Sequence, residues 1–323
     1  MRNVGILTGI SILLLLAPSA PAQEIWFAPV DNLHHGGNPA TSEDFPHLFD
    51  SSPAWSVKTD VFVISPLMAS VTGPEDTLRQ LNAFLSQRHI ALAVGIGAAL
   101  VDSVTPVPGE CGVGLEGMNR PTRNAVYFKR LKQLGIDVQY VAMDEPLTFA
   151  HYFAKQNACQ YSIQDTARRV AASIAEIRQS YPNVKVVDEE NPTYAPAQLW
   201  NAEFASWLAA YRAAAGTPLD AVIFDPDWRM TWLDWVSPST VIAHKNGVRA
   251  GIFIVGTGPG DSDADAIKAR KQNALALDKA KLPLDIVVIA NWTIHPSRNL
   301  PESDPNTLTY FLHWYESQHG QTR

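Results

Sequence analysis

Several features that would indicate particular functions are scarce in this chain. Lysine and arginine number 25 against 32 acidic residues, which gives a formal net charge of −7. Without a basic stripe to neutralise a phosphate backbone, nucleic-acid binding is disfavoured, and so is an anionic polymer as substrate. Beyond residue 22 no apolar run is long enough to cross a bilayer, so no membrane span is expected in the mature chain.

Cysteine is also scarce, with Cys111 and Cys159 the only two in the chain. Residues 1–22 contain one arginine, an apolar core from 4 to 16, and small residues around Ala20 and Ala22. This pattern predicts a cleaved signal peptide rather than a retained anchor, and hence a secreted or periplasmic protein. In an oxidising compartment a bridge between the two cysteines is expected, with a pair of free thiols as the alternative.

Short apolar, β-branched runs recur along the rest of the chain and are ended by turn residues. They lie at 24–30, 60–64, 90–96, 138–143, 184–187, 219–224, 250–255 and 285–290. Helical patterns lie between them, at 74–88, 124–134, 163–180, 197–215, 239–246, 261–281 and 306–318. Because the strand runs are continuously apolar rather than alternating, both faces of the sheet are expected to be covered.

About eight strand–helix units in roughly 300 residues predict an α/β protein of the (β/α)8 TIM barrel class. A doubly wound open sheet is the alternative, but its glycine fingerprint after the first strand is absent. No internal repeat, low-complexity tract or linker interrupts the pattern. Residues 23–323 are therefore expected to form one catalytic domain.

Acidic residues follow three neighbouring predicted strands. The fourth strand runs into Asp144-Glu145-Pro146, the fifth into the acids of 188–190, and the sixth into Asp225 and Asp227. The active site of a barrel is built at the carboxyl ends of its strands, so these groups should meet at one mouth. Crowded carboxylates repel one another and spread their pKa values, as acid–base catalysis requires. Helix capping is the alternative explanation for any single acid.

Alternation along a strand narrows the catalytic candidates. Asp188 and Glu190 share one face while Glu189 points away, and Asp144 and Glu145 cannot both face the interior without a bulge. The predicted catalytic residues are Glu145, Glu190, Asp225 and, after them, Asp144.

Other polar and aromatic residues near the strand ends are candidates for substrate binding. They are Trp26, Asp31, His34, His35, Asp188, Asp227, Trp228, Asn291 and Trp292. An indole ring can stack on the C–H face of a sugar while its N–H reaches a hydroxyl group. Core packing is the competing explanation for the tryptophans, and a plain loop position for the histidines.

Asp144-Glu145-Pro146 resembles the Asn-Glu-Pro that closes the fourth strand of many retaining clan A glycoside hydrolases, where the glutamate is the acid/base. The resemblance implies a TIM-barrel glycosidase that cleaves a poly- or oligosaccharide without a cofactor, with Glu145 as acid/base. Two departures are that Asp144 replaces the asparagine and that the seventh strand ends without the nucleophilic glutamate. The partner of Glu145 therefore stays open between Glu190 and Asp225.

Two other functions compete with this interpretation. A metal-dependent hydrolase would draw its ligands from Asp31, His34, His35, Asp188, Glu190 and Asp225. The sequence has no His-x-His after the first strand and no histidine closing the fourth to seventh strands, so no metal site is assigned. A non-catalytic carbohydrate-binding barrel would keep the tryptophans and have no need of the acids.

Overall fold

The computed structural model describes residues 23–33, 40–105, 107, 109–256 and 262–319. The strands are β1 (Glu24–Ala28), β2 (Val61–Ile64), β3 (Ala91–Ile96), β4 (Ala99–Leu100), β5 (Met118–Asn119), β6 (Tyr140–Asp144), β7 (Lys185–Glu190), β8 (Ala221–Phe224), β9 (Arg249–Ile254) and β10 (Ile286–Ala290). The α-helices are α1 (Pro66–Ala69), α2 (Glu75–Arg88), α3 (Arg123–Gln133), α4 (Ile163–Arg178), α5 (Ala197–Ala215), α6 (Leu233–Lys245), α7 (Asp263–Ala280) and α8 (Leu308–His319).

Eight of these strands close into a parallel barrel in the order β1-β10-β9-β8-β7-β6-β3-β2. The predicted (β/α)8 barrel is thereby confirmed. Every residue of β8 and β10 is buried, which explains the continuously apolar sequence of these strands. The predicted signal peptide lies outside the described residues, and none of the described helices has the length and hydropathy of a bilayer span.

Trp26 and Tyr140 show which side chains face the barrel interior. Their rings lie 4.9 Å apart although β1 and β6 are not neighbours in the sheet, so both rings point inward. Alternation along β6 then directs Asp144 inward, four residues after Tyr140. On β8, Phe224 contacts a phenylalanine of α5 and faces the helices, so the next residue, Asp225, faces inward.

Capping residues mark the ends of several helices. The hydroxyl of Ser162 accepts a hydrogen bond from the backbone N–H of Asp165 at 3.0 Å and begins α4. Gly135 and Gly247 adopt φ values of 72° and 71° just after α3 and α6, where a left-handed residue ends a helix at least cost.

Two predicted boundaries are wrong. The fifth barrel strand, β7, extends to Glu190 instead of ending at residue 187, because it pairs with β6 and β8 along its acidic end. Tertiary pairing here outweighs the low strand propensity of the acids. Helix α6 begins at Leu233 rather than at residue 239 and contains Pro238.

The connection between β3 and α3 is long. It contains β4 and β5, which form a separate two-stranded parallel sheet. Cys111 in this connection forms a disulfide with Cys159, which precedes α4. Disulfides persist mainly in oxidising compartments, so the bridge is consistent with the expected export.

Candidate active site

Five carboxyl groups gather at the mouth formed by the carboxyl ends of β6, β7 and β8. This acid cluster consists of Glu116, Asp144, Glu145, Glu189 and Asp225. Asp144 and Glu189 are paired in register on adjacent strands, so their side chains leave the sheet on the same side. The backbone N–H of Asp225 bonds to the carbonyl of Glu190 at 2.8 Å and places the third strand end beside them.

Glu145 enters the same cluster through an unusual backbone conformation. Its φ of 44° is left-handed, which turns the chain directly after β6. Its N–H donates to the carbonyl of Glu189 at 2.9 Å, and its side chain is 8% exposed. The left-handed turn takes the place of the bulge that the sequence pattern would require, so Asp144 and Glu145 both reach the mouth.

Glu190, predicted as a catalytic partner, directs its carboxylate to the outer side of β7, although its charge still contributes to the raised pKa of Asp144 and Glu145. Its carboxylate is fully buried and accepts hydrogen bonds from Leu147 N at 2.6 Å, Thr148 N at 3.0 Å and Thr148 Oγ1 at 2.7 Å. The predicted sharing of one face by Asp188 and Glu190 holds, but that face is the outer one. It is Glu189, expected to point away, that faces the barrel.

Asp188 confirms this orientation. It is fully buried, and its Oδ2 accepts a hydrogen bond from Nε1 of Trp207, a residue of α5, at 2.7 Å. A side chain bonded to the helix layer is not available to a substrate at the mouth, so the predicted binding role of Asp188 is wrong.

Burial and mutual repulsion set the protonation of the inward carboxyl groups. Burial, followed by the charges of Glu116 and Asp227, raises the pKa of Asp225 to about 7. Burial, followed by the charges of Asp225 and Glu116, raises the pKa of Glu189 to about 8. Asp225 therefore loses its proton before Glu189 does.

The pKa values of Glu145 and Asp144 are raised as well. Burial is the main cause that raises the pKa of Glu145 well above its usual range, and the charge of Asp225 is the next. For Asp144 the pKa is also raised well above its usual range by burial, followed by the charge of Glu116. At neutral pH the mouth thus combines protonated carboxylic acids with a group, Asp225, that is ready to ionise.

A pocket of about 410 Å³ opens next to Asp225. Its aromatic lining includes Tyr194, Trp228 and Trp292. Trp228 is 8% exposed, and its indole Nε1 has no hydrogen-bond partner among the described residues. A buried N–H without a partner is costly, so a ligand hydroxyl at this position would satisfy it.

Charge in the pocket lining is already neutralised in part. Arg229 donates from Nε and Nη2 to the two carboxylate oxygens of Asp227 at 2.8 and 2.7 Å. The predicted binding residues Asp227, Trp228 and Trp292 therefore all lie in the pocket, with the carboxylate of Asp227 committed to Arg229.

Trp26 and Asp31, two further predicted binding residues, make contacts within the protein instead of lining the pocket. Trp26 is fully buried inside the barrel, where its Nε1 donates to Glu24. Asp31 is 3% exposed and accepts hydrogen bonds from Ser65 Oγ and Leu33 N. These contacts hold the core and the loop after β1, so the prediction that Trp26 and Asp31 face a ligand is wrong.

Asn291 is likewise part of the framework. It is 5% exposed; its amide donates to the carbonyls of Thr293 and Pro296, and its Oδ1 accepts from Arg270. His34 and His35, the remaining predicted candidates, lie outside the described residues. Among the described residues, no three histidine, cysteine or carboxylate side chains converge as a metal site would require.

Glu116 is the member of the cluster that sequence reasoning missed. It lies in the connection between β3 and α3, far from any predicted strand end. The only signal for it is the unusual length of that connection, because long loops on barrels commonly carry functional residues.

The raised pKa values predict that stability falls with rising pH. Carboxyls that bind protons more tightly when folded lose this advantage as pH rises from the unfolded pKa near 4 through the folded value. We expect the free energy of unfolding to drop by about 3 kcal/mol between pH 5 and 8 from Asp225 alone, as follows from a pKa of about 7 in the folded chain. Denaturant unfolding of wild type and Asp225→Asn at both pH values measures this drop.

Asp304→Asn serves as the control, since hydrogen bonds from the backbone of Asn306 and from Arg298 lower the pKa of Asp304, which lies outside the acid cluster, and its contribution changes only in acid. A wild-type protein that is equally stable at pH 5 and pH 8 would contradict the described electrostatics.

Known proteins resemble this chain in fold and not in sequence. No family model and no curated protein matches the sequence. Among solved structures, a candidate α-L-fucosidase from Bacteroides thetaiotaomicron has a TM-score of 0.52 and 8% identity, over 96% of this chain and 99% of that one. The shared fold is the TIM barrel. An endo-1,4-β-xylanase from Caldicellulosiruptor owensensis has a TM-score of 0.48 and 11% identity, over 84% and 85% of the two chains.

Proposed function

We propose that this protein is a glycoside hydrolase in which Glu145 donates a proton to the leaving glycosidic oxygen and Asp225 is the partner carboxylate. The observation that carries the proposal is that Glu145 and Asp225 lie at the same mouth and differ in the pKa of their carboxyl groups. Burial and the charge of Asp225 raise the pKa of Glu145 well above its usual range, whereas the pKa of Asp225 is raised to about 7. Glycoside cleavage requires such a pair of one acid and one carboxylate.

The pocket beside Asp225 supports a sugar as the substrate. Its volume of about 410 Å³ lies within the range of small-molecule sites. Trp292 in the pocket lining is 40% exposed and meets Phe253 edge to face; an exposed indole is a type of surface on which sugar rings stack. The unpartnered N–H of Trp228 adds a donor for a hydroxyl group.

The electrostatics favour a neutral sugar over an acidic one. Within the described lining of the pocket, Arg229 is the only cationic side chain, and Asp227 already binds it. A uronic acid would bring a further negative charge next to the acid cluster without a free cation to pair with it.

The position of the two strands favours inversion of the anomeric centre. Glu145 follows β6 and Asp225 follows β8, and β7 lies between them. Strands two apart are separated by roughly 10 Å at the backbone, which leaves space for a water molecule between the carboxyl groups. Asp225 would activate that water while Glu145 protonates the leaving group.

Hydrolysis of a panel of neutral and uronic oligosaccharides tests the proposal. We expect wild type to release reducing ends from a neutral member, with an inverted first-formed anomer in proton NMR, and Asp225→Asn to be about 10³-fold slower. Asp278→Asn, on the exposed side of α7, is the control with unchanged turnover. Binding without turnover by wild type would favour the non-catalytic barrel, and loss of turnover in EDTA would favour a metal-dependent hydrolase.

A further inference from the structure

The connection between β3 and α3 is held by contacts at two places. The carbonyl of Gly117 accepts hydrogen bonds from Ala98 N at 3.1 Å and Ala99 N at 3.0 Å, next to the pairing of β4 with β5. The disulfide between Cys111 and Cys159 ties the other side to the segment before α4. We call residues 111–119 of the connection the clamped loop.

Gly117 places the clamped loop directly on the end of β6. A Cβ atom at Gly117 would lie 2.7 Å from the carbonyl oxygen of Asp144 and 2.8 Å from that of Glu145. Its φ of 71° is also left-handed, so any side chain here would be both strained and obstructed. The backbone thus approaches the two acids as closely as a chain permits, and Glu116 is the residue immediately before this contact.

The charge of the Glu116 carboxyl acts on acids at the ends of all three strands, β6, β7 and β8. The titratable groups that face it are Asp144 and Glu145 after β6, Glu189 of β7, Asp225 after β8 and the phenol of Tyr194. Within the described residues Glu116 has neither a hydrogen bond nor an ion pair; the residue is exposed at the mouth, yet partial desolvation by its neighbours raises the pKa of its carboxyl. Its charge is the largest charge contribution that raises the pKa of both Asp144 and Asp225.

We propose that Glu116, held over the ends of β6 and β8 by the clamped loop, is a positioning residue of this active site that acts through Asp144 and Asp225. The proposal rests on the proposed function for its catalytic meaning. Because a negative charge disfavours ionisation of a neighbouring carboxyl, Glu116 keeps protons on the acids beneath it. The loop is therefore part of the acid–base machinery rather than a cover for it.

Replacing Glu116 by glutamine removes the charge and leaves the shape of the side chain. The neighbouring carboxyls then ionise more readily, so both limbs of the kcat/KM profile against pH move to lower pH by about one unit. Glu110→Gln is the matched control in the same connection, since its Oε1 bonds to Ser103 N, outside the acid cluster. We expect its profile to coincide with that of wild type.

Carbon-13 NMR titration of the side-chain carboxyls separates this proposal from the proposed function, because it requires no turnover. In Glu116→Gln, the titration of Asp225 is expected to move to lower pH, even if no substrate is cleaved. Unchanged titration in Glu116→Gln would overturn the inference, whereas a shifted titration without any hydrolysis would overturn only the glycosidase.

The double variant Cys111→Ser/Cys159→Ser tests whether the disulfide-tied loop holds Glu116 at the acid cluster. Freed from the bridge, Glu116 is expected to move away from the cluster, and the Asp225 titration should shift in the same direction as in Glu116→Gln. Adding Glu116→Gln to this variant should produce little further shift. A full additional shift would show that the bridge has no part in holding Glu116.

Discussion

Replacing Glu145 by glutamine is expected to lower kcat by about 10³-fold or more, while binding of the substrate is retained. The amide has the shape of the acid but no proton to give to the leaving oxygen. Because the loss arises only in the transition state, kcat and kcat/KM should fall together. A drop of this size corresponds to about 4 kcal/mol of transition-state stabilisation.

Steady-state hydrolysis and calorimetric binding of the same oligosaccharide measure the two halves of this expectation. Glu43→Gln is the matched control, because Glu43 is an exposed residue in the loop before β2 and lies outside the acid cluster. A substrate with a very acidic leaving group needs little protonation, so Glu145→Gln should cleave it at a rate closer to that of wild type. Equal loss on both substrates would assign Glu145 a role other than proton donor.

Glu190→Ala should instead destabilise the protein, by about 4 kcal/mol or roughly 10 °C in melting temperature. The variant leaves the buried N–H groups of Leu147 and Thr148 without acceptors, and each such group costs about 1–3 kcal/mol. The Leu147–Thr148 segment directly follows the turn that holds Glu145, so loss of its anchor is also expected to reduce kcat.

Asp188→Asn is the control for this variant. Asp188 lies on the same strand and the same face, but the amide oxygen of asparagine can still accept the hydrogen bond from Trp207. Its stability should remain within about 1 kcal/mol of wild type. If Glu190→Ala melted like wild type and yet lost all turnover, Glu190 would be a reacting group and its assignment as an anchor would be wrong.

Much of the architecture could be predicted from local patterns. The apolar runs predicted all eight barrel strands, and the acids after the fourth and sixth strands marked the mouth. For Glu145 and Asp225, position at a strand end was sufficient, because parallel strands end at the same edge of the barrel. In the structure Glu145 directly follows β6 and Asp225 directly follows β8.

The acids of β7 could not be assigned in the same way. Alternation correctly separated Glu189 from Asp188 and Glu190, but it carries no information on which face turns inward once a strand extends further than expected. A single residue of register exchanges the two faces. Pairing of Asp144 with Glu189, a contact between strands, decides it.

The order of amino acids determined a barrel of alternating strands and helices with carboxyl groups at one mouth, since hydrophobic periodicity is a local property of the chain. Only the tertiary structure decided which of those carboxyls gather at the mouth, which one anchors a loop, and that Glu116 joins them. These outcomes depend on strand register, on the left-handed turn at Glu145 and on a loop tied by a disulfide. Each of these is set by contacts between segments far apart in the chain.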